Sequence, residues 1–310
     1  MAVVFHQALR SGMLAASGNP SVAGWVRRHG TLLGARRFLA GETLDECIPV
    51  LRHLRDEGFS TTTTLLGEAV TNERTARSVA AEYASVLRRL ADEHVGTTVA
   101  LKPTHLGLNL CEALAFEAVS RVVRCAAECG NFVRMDMEQS SKVDPTLRLF
   151  RRLRSEGLAN VGIVLQACLY RSGADLRELL PCRPNVRLVK GAYLEPREIA
   201  FPRKRDVDRN FLQLIALALA GDGYTAVATH DERIIERTLD MARGSKMSPD
   251  RFEFQMLFGV RPRLQRDLLN RGHRMRIAVP YGPDWYAYFM RRLAERPANV
   301  LFLCRALVQR

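Results

Sequence analysis

The sequence predicts an α/β protein, a (β/α)8 TIM-like barrel preceded by extra N-terminal helices. Three observations carry that expectation. Short apolar, β-branched runs recur eight times, each followed by a longer stretch with helical spacing. Several of the runs are apolar on both faces, as parallel strands must be when helices cover them outside and neighbours pack inside. Eight such units in about 250 residues is the usual size of a closed barrel, with an open doubly wound sheet as the structural alternative.

Residues 1–58 precede the first run and read as helical, with GWVRRHG, GARRFLAG and ETLDECIPVLRHLRDEG supplying turns, caps and an amphipathic stretch that packs on the barrel. The eight strand candidates follow in order. They are STTTTLL (60–66), TTVALKP (97–103), NFVRMDME (131–138), VGIVLQA (161–167), NVRLVKGA (185–192), YTAVATH (224–230), FEFQML (252–257) and MRIAVP (275–280). No solenoid repeat, low-complexity segment or Pro/Ser/Gly-rich linker divides the chain, so residues 1–310 are read as one domain.

Composition bounds the function. At 47% hydrophobic and 25% charged the chain is an ordinary globular protein. No run of eighteen uncharged apolar residues exists, and the opening MAVVFHQALRSGMLAASG has neither a compact apolar core nor a cleavage site. Neither a membrane span nor secretion is expected. Seven cysteines without a C-x-x-C pair suit a reduced, cytoplasmic protein. The net charge of +13 is uneven: residues 261–310 hold eleven arginines against Asp267, Asp284 and Glu295. Such a stretch attracts an anionic ligand, nucleic acid or an anionic membrane. Nucleic acid is the weaker option, because no recognised motif or interleaved aromatic platform accompanies the arginines. Lysine is scarce, with Lys102, Lys142, Lys190, Lys204 and Lys246 standing against forty-one arginines. A compact ammonium in such a chain marks either a place where the guanidinium fork does not fit or chance retention.

In a barrel of this kind the C-terminal strand ends build the active site. They carry Glu68, Lys102, Asp136 with Glu138, Gln166, Arg187 with Lys190, Thr229 with His230, Gln255 and Tyr281. Buried charges need partners or a ligand, so the ring is either a rim ion-pair network or a site. In the last helix Arg291 and Arg292 stand side by side, with Tyr288 three residues before and Glu295 four after Arg291. Adjacent guanidiniums suit a carboxylate between them, though a solvated basic helix end has the same spacing. Dinucleotide-binding, P-loop, H-E-x-x-H and nucleophile-elbow motifs are missing, and a lone His230 makes a poor metal site.

Taken together, LKPTHLG, VRMDMEQS, VLQACLYR, VRLVKGAYLEP, ATHDERII, FEFQMLFGVRP and VPYGPDWYAYFMRRLAERP closely resemble the proline dehydrogenase family, from about residue 30 onward. The resemblance implies a distorted barrel that binds FAD, oxidises L-proline to Δ1-pyrroline-5-carboxylate and passes electrons to a membrane quinone. It implies that Lys102, Arg291 and Arg292 hold the substrate carboxylate, that Asp136 orients this cationic group, and that Glu295 supports Arg291. By the same resemblance Met137, Gln166, Arg187, Lys190, Gly191, Ala192, Thr229 and His230 line the flavin. Tyr193, Leu257 and Tyr288 wall the ring, and Glu68 resembles a gate that pairs with an arginine when substrate enters. One departure stands out: where the family commonly has a tyrosine in the eighth strand, this chain has Ala278. The space so left either admits a 4-hydroxyl group or is filled by Phe289 or a loop. Competing readings are a Schiff-base lyase using Lys102 or Lys190, and an arginine-rich binding protein. The quinone acceptor implies peripheral contact with the inner face of the cell membrane, for which the basic C-terminal region is the candidate surface.

Overall fold

A computed structural model describes residues 24–26, 28, 30, 34–245 and 247–294. Eight parallel strands close into a barrel in the order β1 to β8: Ser60–Leu65, Thr98–Leu101, Val133–Met135, Val161–Gln166, Asn185–Val189, Tyr224–Ala228, Phe252–Leu257 and Met275–Tyr281. Each predicted strand is present, and closure comes from β1 pairing with β8, with Ser60 opposite Arg276 and Leu65 opposite Tyr281. The predicted doubly wound alternative is thereby excluded. β2, β3 and β5 stop short of their predicted ends. Pro103 opens a 3-10 turn directly after Lys102, and Gly191, at φ 105, turns the chain out of β5. Lys102, Asp136 and Lys190 therefore sit at the C-terminal limit of their strands, Asp136 N still donating to Leu101 O and Lys190 O still accepting from Cys168 N.

The helices are α1 (Leu44–Asp56), α2 (Glu73–Asp92), α3 (Glu112–Glu128), α4 (Val143–Ser155), α5 (Ser172–Leu179), α6 (Lys204–Ala220), α7 (Glu232–Gly244), α8 (Pro262–Asn270) and α9 (Trp285–Ala294). Side-chain caps start several of them: Thr43 accepts from Glu46 N, Asn72 from Thr75 N and Asp231 from Arg233 N. Residues such as Leu87, Val122, Phe150, Phe211 and Ile235 are fully buried between helices and barrel. No helix among the described residues is long and apolar enough to cross a membrane.

A second, smaller core decides where the last helix lies. Trp285, Tyr286, Tyr288, Phe289 and Met290 of α9 pack with Val26, Ala35, Phe38 and Leu39 of the N-terminal segment and with Leu66. The Trp285 indole also donates to Glu42 Oε1 at 2.8 Å. Val26, Ala35, Phe38 and Leu39 thereby seat α9, and with it Arg291 and Arg292, at the mouth.

Candidate active site

Two of the three predicted anion ligands meet at the β1–β2 side of the mouth. Lys102 Nζ lies 2.6 Å from Glu68 Oε1, and Arg291 lies 2.7 Å from the same oxygen. Arg292 stands over the Tyr288 ring, 5.2 Å from its centroid. Burial alone would push the Glu68 carboxyl up, but the charges and hydrogen bonds of Lys102 and Arg291 more than offset it and hold the group below its ordinary value. Before Glu68 the Gly67 backbone lies against the His105 ring, where a Cβ would fall 2.2 Å from it. Tyr193 faces the same space: burial raises its phenol, and Glu138, Glu68 and Asp136 add to the effect.

Below the mouth the barrel is filled by charge. Arg187 on β5 is ion-paired with Asp136, and its Nη1 donates to Gln255 Oε1 at 3.4 Å. Gln255 Nε2 donates at 2.6 Å to Glu253 Oε1, which also accepts from Arg276 Nε at 2.7 Å. Arg276 continues across to Thr61 O and Thr98 Oγ1. Arg134 is satisfied by oxygens of Ile163 and Asn185, and burial, with Arg187 nearby, drops its pKa to about 9. Arg134, Glu253 and Arg276 were absent from the sequence-predicted set. Asp136 was expected to orient Lys102 and the arginine pair, whereas its ion pair is with Arg187. The physical reason is register, since strands β3 and β5 present Asp136 and Arg187 at one level across the interior.

On the β4–β6 side Gln166 Nε2 donates to Glu138 O at 2.7 Å, which turns its amide oxygen towards Gly191. A Cβ on Gly191 would strike Cys168 Sγ at 2.3 Å, so backbone alone fits there. Thr229 and His230 follow β6: Thr229 Oγ1 accepts from Asp231 N, and His230 Nε2 accepts from Leu257 N at 3.0 Å. Lys190 is held by Asp208 at 2.5 Å and Asp231 at 3.0 Å. Met137 is buried, and Ala192 is exposed on the loop after β5. Ala278 pairs in register with Leu257 and with Thr62, so the three side chains share the interior face. Tyr281, read as a strand-end candidate, is instead buried in the core with its phenol raised by burial. It shares the face of Ile277 and Val279, which points at the helices. Glu295 lies outside the described residues.

The family model described as proline dehydrogenase matches residues 47–305. The chain belongs to the proline dehydrogenase family. Among curated members, "Proline dehydrogenase 1" of Bacillus subtilis strain 168 is 40% identical over 97% of this chain and 100% of its own length. "Proline dehydrogenase" of Deinococcus radiodurans is 38% identical over 99% of this chain and 100% of its own. Among solved structures, proline utilization A (PutA) from Bdellovibrio bacteriovorus, inactivated by N-propargylglycine, superposes with a TM-score of 0.80 at 27% identity. That match covers 88% of this chain and 33% of the PutA chain, so the barrel spans about a third of that protein. The strand-end motifs that carried the family resemblance and the barrel predicted from periodicity are thus both found.

Proposed function

We propose that the chain oxidises L-proline to Δ1-pyrroline-5-carboxylate with FAD as hydride acceptor and a quinone as the next electron acceptor. The observation that supports this best is the grip on Glu68. Two cations from the elements on either side of β1, Lys102 after β2 and Arg291 after β8, meet on one carboxylate, and Tyr288, Leu257 and Tyr193 would wall the space beside it. A substrate carboxylate offers the same charge and fork, so L-proline competes with Glu68 for these cations, and Arg292 supplies a second guanidinium. This is the reverse of the gate that the resemblance implied, in which Glu68 pairs with an arginine as substrate enters. Clamping that end fixes the ring against the residues deeper in the barrel and makes the reaction effectively unimolecular.

FAD suits the remaining residues. Arg187 Nε is buried and has no acceptor among the described residues, a donor that a bound group would satisfy. Gly191 leaves open backbone beside the oxygen of Gln166. Arg187, Gln166, Met137, Lys190, Gly191, Ala192, Thr229 and His230 would hold the cofactor, which when bound takes the hydride from the ring carbon. Asp136 holds Arg187 by its charge, so the two act as one unit at that end.

A second reading, that trans-4-hydroxy-L-proline is also accepted, is favoured by Ala278. Its register partner Thr62 has a buried hydroxyl with no partner among the described residues. A substrate hydroxyl there would meet a polar group in place of a tyrosine ring. For the electron acceptor we propose a membrane quinone reached by peripheral contact through the basic C-terminal region, supported by its excess of arginine. Within the described part, Arg261, Arg266, Arg271, Arg276 and Arg291 are already paired with Glu232, Glu57, Glu236, Glu253 and Glu68, so the contact falls to arginines outside these pairs. Sedimentation with anionic vesicles at low salt tests it, and no binding there would refute it.

The visible spectrum of the purified protein, taken anaerobically before and after L-proline, tests the main reading. Bleaching of a flavin band is expected. A colourless protein that cannot be reconstituted with FAD would overturn it.

A further inference from the structure

We propose that Gln255 and Glu253 are positioning residues for Arg187, a support that runs down the barrel interior and ends on Arg276. The inference rests on the reading of Arg187 given above. An amide has one donating and one accepting end. Ionised Glu253 only accepts, so Gln255 must turn its NH2 group down to it, at 2.6 Å. Its oxygen then faces up and accepts from Arg187 Nη1 at 3.4 Å. That bond is long, and its value is orientation more than strength. With a neutral Glu253 the amide could invert and set a donor against a guanidinium.

Charge fixes the arrangement. Glu253 and Gln255 are 2% and 5% exposed. Burial by itself would raise the Glu253 carboxyl, but the charge and hydrogen bond of Arg276, with bonds from Gln255 and Tyr224, hold it below its ordinary value. Arg276 is in turn anchored on Thr61 O at 2.7 Å, on the adjoining strand β1. Arg187 needs such a support because Arg134, another buried guanidinium close enough to act on its charge, pushes against it. Asp136 holds Nη2 and Gln255 holds Nη1. The third nitrogen, Nε, is the atom whose aim these two contacts decide.

The test uses variants that keep net charge. Gln255→Met removes the amide at similar volume, and the pair Glu253→Gln with Arg276→Met removes the ion pair without stranding either charge. In the flavin-loaded protein, the rate of bleaching by L-proline, the Kd for L-proline and the reduction potential of the flavin are measured without oxygen. Positive charge held beside a flavin raises its potential, so both variants are expected to lower it, in the same direction as Arg187→Met. They should slow bleaching roughly tenfold while Kd stays within about twofold. The Gln255→Met effect should vanish in an Arg187→Met background, because it acts through that residue. Wild-type rate and potential in Gln255→Met overturn the inference, as does an effect undiminished in the Arg187→Met background. An Arg187→Met protein that itself keeps wild-type rate and potential refutes the role of Arg187, and the support with it. Should the paired variant not fold, Gln255→Met decides alone.

Discussion

Glu68, in the loop after the first barrel strand, reaches Arg291 on the last helix, with 2.7 Å between carboxylate and guanidinium. The contact joins the barrel to the helix seated by the N-terminal segment, and Lys102 shares it. On the proposed reading a carboxylic acid binding at the mouth competes with Glu68 for these cations. A part-exposed ion pair is worth at most about 1 kcal/mol. Glu68→Gln is therefore expected to tighten an unreactive cyclic carboxylic acid by up to about fivefold. Arg291→Met, which removes a charged donor, should weaken it by roughly tenfold or more. Calorimetric titration reads both, and weaker binding to Glu68→Gln would contradict the competition. Because the Glu68 carboxyl is held below its ordinary value, the bridge persists through the neutral range and is lost only as pH falls through that depressed value.

His105 makes stability depend on pH. It is 7% exposed, its Nδ1 has no partner among the described residues, and its ring stands edge-on to Tyr83. Burial, with Lys102 adding to it, lowers its pKa from 6.5 to about 4. Between those values the unfolded chain binds a proton that the folded one refuses, so stability falls as pH drops from about 6.5 towards 4, by roughly 3 kcal/mol at most. His105→Leu should remove this part of the loss. Urea unfolding at pH 7 and pH 5 compares the two proteins, and equal losses would show that His105 is not the group responsible.

The barrel was legible because parallel strands buried on both faces cannot hide their apolar runs, and the mouth because strand ends carry the polar residues. Interior charge was missed for the complementary reason. Glu253 and Arg276 sit within strands, not at their ends, yet FEFQML alternates, placing Phe252, Phe254 and Met256 on one face and Glu253 and Gln255 on the other. Tyr281 was misread by ignoring the same parity. The meeting of Glu68 with Arg291 has no local signature, since it depends on where Trp285 and Phe289 anchor α9 against Phe38.

Glu138 ties the Lys102 turn to the third strand. Its carboxylate, 4% exposed as a residue, accepts from Thr104 N at 3.0 Å and Thr104 Oγ1 at 2.6 Å. Thr104→Val leaves the shape but strips one donor from a buried acceptor, at a cost of about 1–3 kcal/mol. Burial already raises the Glu138 carboxyl against the opposing Thr104 bonds, so the variant should also move Lys102 and raise KM for L-proline more than it lowers kcat. Denaturant melts and steady-state kinetics check the two parts separately. A variant with wild-type stability would show that the bond contributes nothing.

Ala278 gives the sharpest test of substrate range. Its side chain faces the interior beside Leu257 and Thr62, and it is only partly buried, so the space above it is open. Phe289, the side chain considered as a filler, is fully buried against Phe38 and Trp285 on the other side of α9 and is not free to enter. The Thr62 hydroxyl next to it is buried and has no partner among the described residues. Ala278→Tyr fills the corner, and excluding a polar substituent from a packed wall costs about 1–3 kcal/mol. The variant is therefore expected to lose roughly ten- to a hundredfold in kcat/KM for trans-4-hydroxy-L-proline while L-proline changes far less. Competition kinetics with the two substrates measures the ratio directly. An unchanged ratio would mean that the corner is closed by something other than residue 278, and the second reading of the substrate would fall with it.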